Sequence, residues 1–208
     1  MKLYWHPFSV FPRRVRIALR EKGIACEEVV VDLPGGALRQ PDFLQRNPFG
    51  QVPVLEDGDL VLAESVAILE YLEERHPTPA LLPAEAPARA RARELMLWSN
   101  GHLAPAWKAA LAPLFTPTVL ATDPAVQEGR AALGRYLDVL DARLGGAPWL
   151  AGDYSLADVC HAPFVTVLDT VGCDDLVPAR PRAAAWIERL ATRPAVRSLA
   201  MLPVRAVA

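Results

Sequence analysis

The chain has 208 residues, 52% hydrophobic and 22% charged, with 22 bases against 24 acids and a formal net charge of −2. At roughly 150 residues per domain this length holds one or two domains, and the composition is that of a folded chain, which sets aside disorder and fibrous repeats. There is no dense basic block to meet nucleic acid, no run of ~18 apolar residues to span a membrane, and no long apolar stretch in the opening MKLYWHPFSV, so the expected compartment is the cytoplasm.

Residues 2–5 (KLYW) read as a strand ending at His6-Pro7. From Pro12 to Lys22 the apolar residues Val15, Ala18 and Leu19 fall at helical spacing with the arginines expected to face away, Pro12 at the first helical position and Gly23 as the stop. Residues 27–32 (EEVVVD) supply a second strand, so the first 32 residues form a βαβ unit with parallel strands. An irregular Gly-Pro-rich connection from Leu33 to Gly50 has room for a short helix around Phe43 and Leu44. The runs 52–55 and 60–62 flank Asp57-Gly58, a hairpin signal, and 65–75 (SVAILEYLEER) closes the unit with a helix.

Four prolines between His76 and Pro87 mark a boundary. The expected division is a domain over 1–77, a linker over 78–87 and an all-helical domain over 88–208, with helical segments near 88–115, 124–144, 155–171 and 180–192. Pro105 and Pro113 should break the first of these. Ser155-Leu156-Ala157-Asp158 is a capping box opening an apolar helix, a folding element rather than a site.

The cysteines Cys26, Cys160 and Cys173 are odd in number and form no CxxC pair, so they are expected to be reduced packing residues. The four histidines show no metal-ligand spacing and no metal is expected. GxSxG, GxGxxG and Walker strings are absent from the sequence, which removes those cues for a serine hydrolase, a dinucleotide fold or a P-loop enzyme.

Three strings carry a resemblance: HPFSVFPRRVRIAL at 6–19, NPFGQVPVLEDGDLVLAES at 47–65 and GDYSLADVC at 152–160. Together they resemble the cytosolic glutathione transferases, and within them the serine-type phi and theta-like groups with bacterial members. The resemblance implies an α/β thioredoxin-like first domain of order βαβ-ββα that binds glutathione, followed by an all-α domain contributing the electrophile site. It implies detoxifying conjugation of the glutathione thiolate to a hydrophobic electrophile, with glutathione as co-substrate and no metal, by a homodimer.

The family likeness gives Ser9 the catalytic role. The glutathione thiol, like an ordinary cysteine at about 8.5, is mostly protonated at neutral pH, and a hydroxyl donor beside a helix start stabilises the thiolate. Without the surrounding strings Ser9 reads only as a serine that starts a helix. The resemblance further implies a cis Val52-Pro53 bond, with Val52 offering its backbone to the cysteinyl part of glutathione and Gln51 beside it. Ser65 would take the γ-glutamyl carboxylate at a helix start and Glu64 the γ-glutamyl ammonium. Where phi-type relatives hold the glycine carboxylate with a histidine and a lysine, this chain has Leu38 and Arg39, so Arg39 is the remaining candidate.

Phe8, Phe11, Trp98, His102 and Trp107 are candidates for the electrophile side, and Phe49 for the aromatic that several relatives insert into the neighbouring subunit. Two alternatives stay open: a glutathione-dependent isomerase, dehalogenase or peroxidase on the same scaffold, and a non-catalytic transferase-like binding module. Retention of Ser9, Gln51, Val52-Pro53 and Glu64-Ser65 argues against the module and Leu38 argues mildly for it.

Overall fold

A computed structural model describes residues 1–32, 35–116 and 118–199. Leu33 and Pro34, the start of the connection expected to be irregular, lie outside the described residues, as do 200–208 of the expected helical domain. Two units form, Met1–Leu81 and Leu82–Ala208.

In the first unit β1 (Lys2–Trp5) leads through α1 (Val10–Glu21) to β2 (Glu27–Val30), and β1 and β2 pair in parallel. After α2 (Pro41–Arg46), β3 (Val54–Asp57) and β4 (Leu60–Ala63) form an antiparallel hairpin, and α3 (Ser65–Arg75) follows. The sheet order is β2-β1-β3-β4, with β3 antiparallel to both neighbours. Gly58 at φ 60 supplies the left-handed residue of the two-residue turn, as Asp57-Gly58 suggested. The mixed four-stranded sheet with its helices is the thioredoxin-like fold that the resemblance implied.

Alternation along the strands divides the core. Leu3 and Leu55 face Val15 and Leu19 of α1 and Ile68 and Leu72 of α3, whereas Val31 and Val54 meet Phe43 of α2 on the other face. The hydrophobic pattern therefore located the helices correctly, but not the arginines of α1. Arg14 is 0% exposed and Arg13 7%, rather than facing away. Arg14 lies over the Phe11 ring with its centroid 5.0 Å away, and its Nη1 donates to Ser65 Oγ at 3.2 Å. Burial, helped by the neighbouring Arg16 charge, pushes Arg13 down to about 10. Arg16 stacks over Trp5 and pairs with Glu28 at 2.7 Å. Pro12 also moves: α1 begins at Val10, so proline occupies the third helical position, where a missing N–H still costs no intrahelical bond.

Residues beyond α3 stay tied to this unit through a buried lysine. Lys22 Nζ donates to the carbonyls of His76 and Pro79, both at 2.8 Å, and pairs with Glu73 at 2.6 Å. The other Glu73 oxygen accepts from the Leu81 N–H at 2.9 Å. Thr78-Pro79 is cis.

The second unit is all helical among its described residues: α4 (Ala86–Trp98), α5 (Ala104–Ala110), α6 (Ala112–Phe115), α7 (Pro124–Leu144), α8 (Leu156–Val165), α9 (Pro181–Thr192) and α10 (Pro194–Arg197). α4 starts inside the proline-rich stretch because Pro87 sits in its first turn, where proline is tolerated. Pro105 and Pro113 each open a new helix, and a π-helical turn over Ser99–Leu103 joins α4 to α5. α8 ends at Val165 rather than near 171, with the Thr166 hydroxyl bonded back to the Ala162 carbonyl. Gly129 of α7 lies against α5, where an added methyl would sit 2.6 Å from Ala109 Cβ.

All of α8 is buried, and the Ser155–Asp158 capping box starts it. Asp158 accepts from the backbone N–H groups of Leu150 and Ser155 and from Trp186 Nε1 at 2.9 Å, so one carboxylate joins the α8 start to α9. Burial pushes this carboxyl up to about 6 despite these donors. Asp158→Ala strands neutral donors in a dry site, each costing roughly 1–3 kcal/mol, and should lower stability measurably in denaturant unfolding.

Candidate active site

Register brings the candidate residues together. Val54 pairs with both Tyr4 and Ala63, so the segments after β1, before β3 and after β4 all leave the sheet at the same end. Those segments contain Ser9, Val52-Pro53 and Glu64-Ser65, so one sheet end carries all of the catalytic, cysteinyl and γ-glutamyl candidates.

Ser9 is the N-cap of α1, half-buried with extended backbone, and its hydroxyl makes no cap hydrogen bond. The bare helix-starting role would have used that oxygen. Its N–H donates to the His6 carbonyl at 3.0 Å and the Phe8 N–H donates to His6 Nδ1 at 3.2 Å. His6, 9% exposed, thus closes the turn from both its backbone and its side chain. Nδ1 accepts only while unprotonated, and burial lowers the His6 pKa against the opposing charge of Asp32.

Val52-Pro53 is cis, as the resemblance implied, with Pro53 buried and Gln51 exposed. Asn47, 4% exposed, shapes the preceding turn: its Nδ2 donates to the Gln51 carbonyl at 2.8 Å and its Oδ1 accepts from the Phe49 N–H at 3.0 Å. Gly50, at φ 60, completes that turn, and a methyl there would meet the Leu38 carbonyl at 2.7 Å and Arg39 Nη1 at 3.3 Å. Arg39 is exposed and reaches the same turn, while Leu38 is half-buried on the α2 side of the core. Phe49 is 72% exposed.

Glu64 is the N-cap of α3 at φ 70 and is the sole non-glycine residue with positive φ among the described residues. Such strain concentrates where a ligand fixes the backbone. Its side chain is exposed, and Ser65, 3% exposed, holds Arg14 through its hydroxyl. α3 runs eleven residues from that point, so its unpaired N–H groups and dipole favour an anion.

Of the residues expected to meet an electrophile, Phe8 is half-buried and tilted against the His6 ring, and Phe11 is half-buried under Arg14. In the second unit Trp98 is half-buried at the end of α4, and His102 is exposed in the π-helical turn. Trp107 is 6% exposed and packs edge-on against Phe164 inside that unit. Among the described residues no group of three or more His, Cys, Asp or Glu side chains is placed to hold a metal ion.

Sequence reasoning named Ser9, Val52 and Ser65 but missed the side chains that set them: His6, Asn47 and Arg14. His6 and Asn47 lay inside strings already singled out. Each is a polar residue within a few positions of a turn, which was the available signal.

The family model described as glutathione S-transferase, N-terminal domain, matches residues 3–80, and the corresponding C-terminal domain model matches 103–194. Glutathione S-transferase 3 of Zea mays is 40% identical over 218 residues, covering 98% of this chain and 95% of that protein. Glutathione S-transferase F13 of Arabidopsis thaliana is 38% identical, covering 94% of this chain and 92% of its own. Among solved structures, glutathione transferase F7 from Populus trichocarpa superposes with a TM-score of 0.87 at 33% identity, over 95% of this chain and 96% of that one. Glutathione S-transferase-I bound with lactoylglutathione gives 0.86 at 32% identity, over 95% and 97%. The chain belongs to the glutathione S-transferase family.

The lowered His6 pKa has a definite sign in stability. Between the folded value and the ordinary 6.5 the unfolded chain binds more protons, so the contribution is complete above about 6.5 and declines as pH falls through that window. His6→Asn keeps an acceptor near Nδ1 without titrating, and should flatten the stability slope below pH ~6.5 in thermal unfolding scans.

Proposed function

We propose that the protein is a serine-type glutathione transferase of the phi/theta-like kind, cytoplasmic, in which Ser9 donates to the glutathione sulfur and holds it as thiolate for attack on a hydrophobic electrophile. The observation that carries this reading is the uncommitted Ser9 hydroxyl at the sheet end shared by Val52-Pro53 and Glu64-Ser65. In this reading Val52 pairs its backbone with the cysteinyl unit beside Gln51, with Pro53 setting its direction. Ser65 and the α3 start take the γ-glutamyl carboxylate, Glu64 the ammonium, and Arg39 the glycine carboxylate. Residues 1–77 form the glutathione-binding domain, 78–87 the linker and 88–208 the domain supplying electrophile specificity, with Trp98 and His102 as its candidate residues. Trp107 would act only from behind, as packing.

In the reaction the bound thiol loses its proton to solvent, the sulfur bonds to the electrophilic carbon and a leaving group departs with the electron pair, or an addition product is protonated. Ser9 keeps its own proton and stabilises charge on sulfur, and the α1 start adds a partial positive charge on the same side. A hydrogen bond to a charged group is worth roughly 1.5–3 kcal/mol and one pKa unit is about 1.36 kcal/mol, so Ser9→Ala should raise the bound thiol pKa by about one to two units. Thiolate absorbance against pH, with glutathione saturating both proteins, measures this. Identical curves with unimpaired turnover would refute the role of Ser9, and wild type failing to bind glutathione would refute the reading itself.

The proposal includes a homodimer keyed by Phe49, supported by its exposure on the turn that Asn47 bonds. Light scattering is expected to give twice the 22.7 kDa chain mass, with Phe49→Ala shifting the equilibrium toward single chains on dilution. A single-chain mass at every concentration would overturn it.

A further inference from the structure

Arginine is seldom fully buried, because its guanidinium carries charge and five N–H donors that must be satisfied. Arg14 is 0% exposed in the first turn and a half of α1, and its Nη1 reaches Ser65 Oγ across 51 residues of sequence at 3.2 Å. The guanidinium carbon lies over the ring of Phe11, 5.0 Å from its centroid. Ser65 is itself 3% exposed and opens α3 directly after the strained Glu64.

These contacts do more than fill space. By donating to Oγ, Arg14 occupies a lone pair of the Ser65 hydroxyl, so the hydroxyl proton must point away from the guanidinium. A hydroxyl that accepts from a cation is also a stronger donor, since bonds in a chain polarise one another. The guanidinium thereby reaches the start of α3, the end of the helix that presents its first N–H groups.

We propose that Arg14 is a positioning residue for the γ-glutamyl carboxylate of glutathione, acting through the Ser65 hydroxyl. This rests on the glutathione reading above. The guanidinium does not touch the ligand. It orients and polarises the hydroxyl that does.

The test uses S-methylglutathione, which has no thiol to ionise, and the same tripeptide with a 4-aminobutyryl group in place of γ-glutamyl, which lacks only the carboxylate in question. Calorimetry on the full chain should show Arg14→Met weakening S-methylglutathione about tenfold, the effect of one charge-assisted hydrogen bond, while leaving affinity for the carboxylate-free analogue unchanged. Adding Arg14→Met to Ser65→Ala should cost nothing further if the arginine acts through the serine. Equal losses on both ligands would mark Arg14 as a packing residue and overturn the proposal, as would additive losses in the double variant.

If Arg14→Met does not fold, the wild-type protein still decides. The Arg14 side-chain nitrogen resonances should move when S-methylglutathione binds and stay put with the carboxylate-free analogue, and a response to both or to neither refutes the assignment. Failure of wild type to bind S-methylglutathione at all would sink the glutathione reading instead. Binding with discrimination lost in Ser65→Ala but kept in Arg14→Met would sink only the part given to Arg14.

Discussion

The placement of β3 between β1 and β4, antiparallel to both, is the constraint on which the first unit depends. With β1 and β3 running in opposite directions, the chain leaving β1 and the chain entering β3 must meet at one end of the sheet. Pairing of β3 with β4 brings the exit of β4 to that end as well. Three segments far apart in sequence are gathered there by backbone hydrogen bonds alone. Alternation then sends Leu3 and Leu55 to the α1–α3 side and Val54 to the α2 side, so a one-residue slip would exchange core and surface along the whole strand.

A sheet end gathers loops but does not give them shape. Each of the three segments is held by one polar side chain that exposes less than a tenth of its surface: His6 for the turn into α1, Asn47 for the turn before Val52, and Arg14 for the start of α3. Two of them bond backbone groups of the segment they hold, and the third bonds its first side chain. A buried polar group left without a partner costs ~1–3 kcal/mol, so each such contact penalises every loop conformation that breaks it. Contacts of this kind favour a single loop arrangement, and a site held that way spends less of its binding free energy on ordering.

Much of this was legible from the residues. The apolar spacing of Ile68, Leu69 and Leu72 after Glu64-Ser65 bounded α3 at 65–75, and Asp57-Gly58 between two β-type runs located the hairpin, because both signals are local and periodic. The start of α1 shifted by two residues, since proline is compatible with any position of the first turn. The burial of Arg13 and Arg14 was not legible. Charge reads as solvent-facing, and the partner that satisfies Arg14 lies on another helix, 51 positions away, where no period or spacing could reveal it. The strained Glu64 backbone was equally hidden, because nothing about glutamate as a residue type announces a positive φ.

Two helix starts in this chain show how the same residue acquires opposite tasks. Ser155 and Ser9 are both N-cap serines with extended backbone, yet the first closes a capping box and the second makes no cap bond. The difference lies three residues on. Asp158 returns a carboxylate to the Ser155 N–H, and the Ser155 hydroxyl accepts from the Ala157 N–H. At the equivalent position of α1 stands Pro12, which has neither an acceptor side chain to close a box nor an N–H for Ser9 to accept. The Ser9 N–H turns instead to the His6 carbonyl, and its hydroxyl is left for something outside the helix. The proline at the third position therefore removes the capping box and one of the two N–H groups an N-cap serine can accept, and Ser9 makes no cap bond to the other, that of Phe11. It does so without weakening the helix, because the N–H that proline lacks is one that no residue in a first turn bonds within the helix.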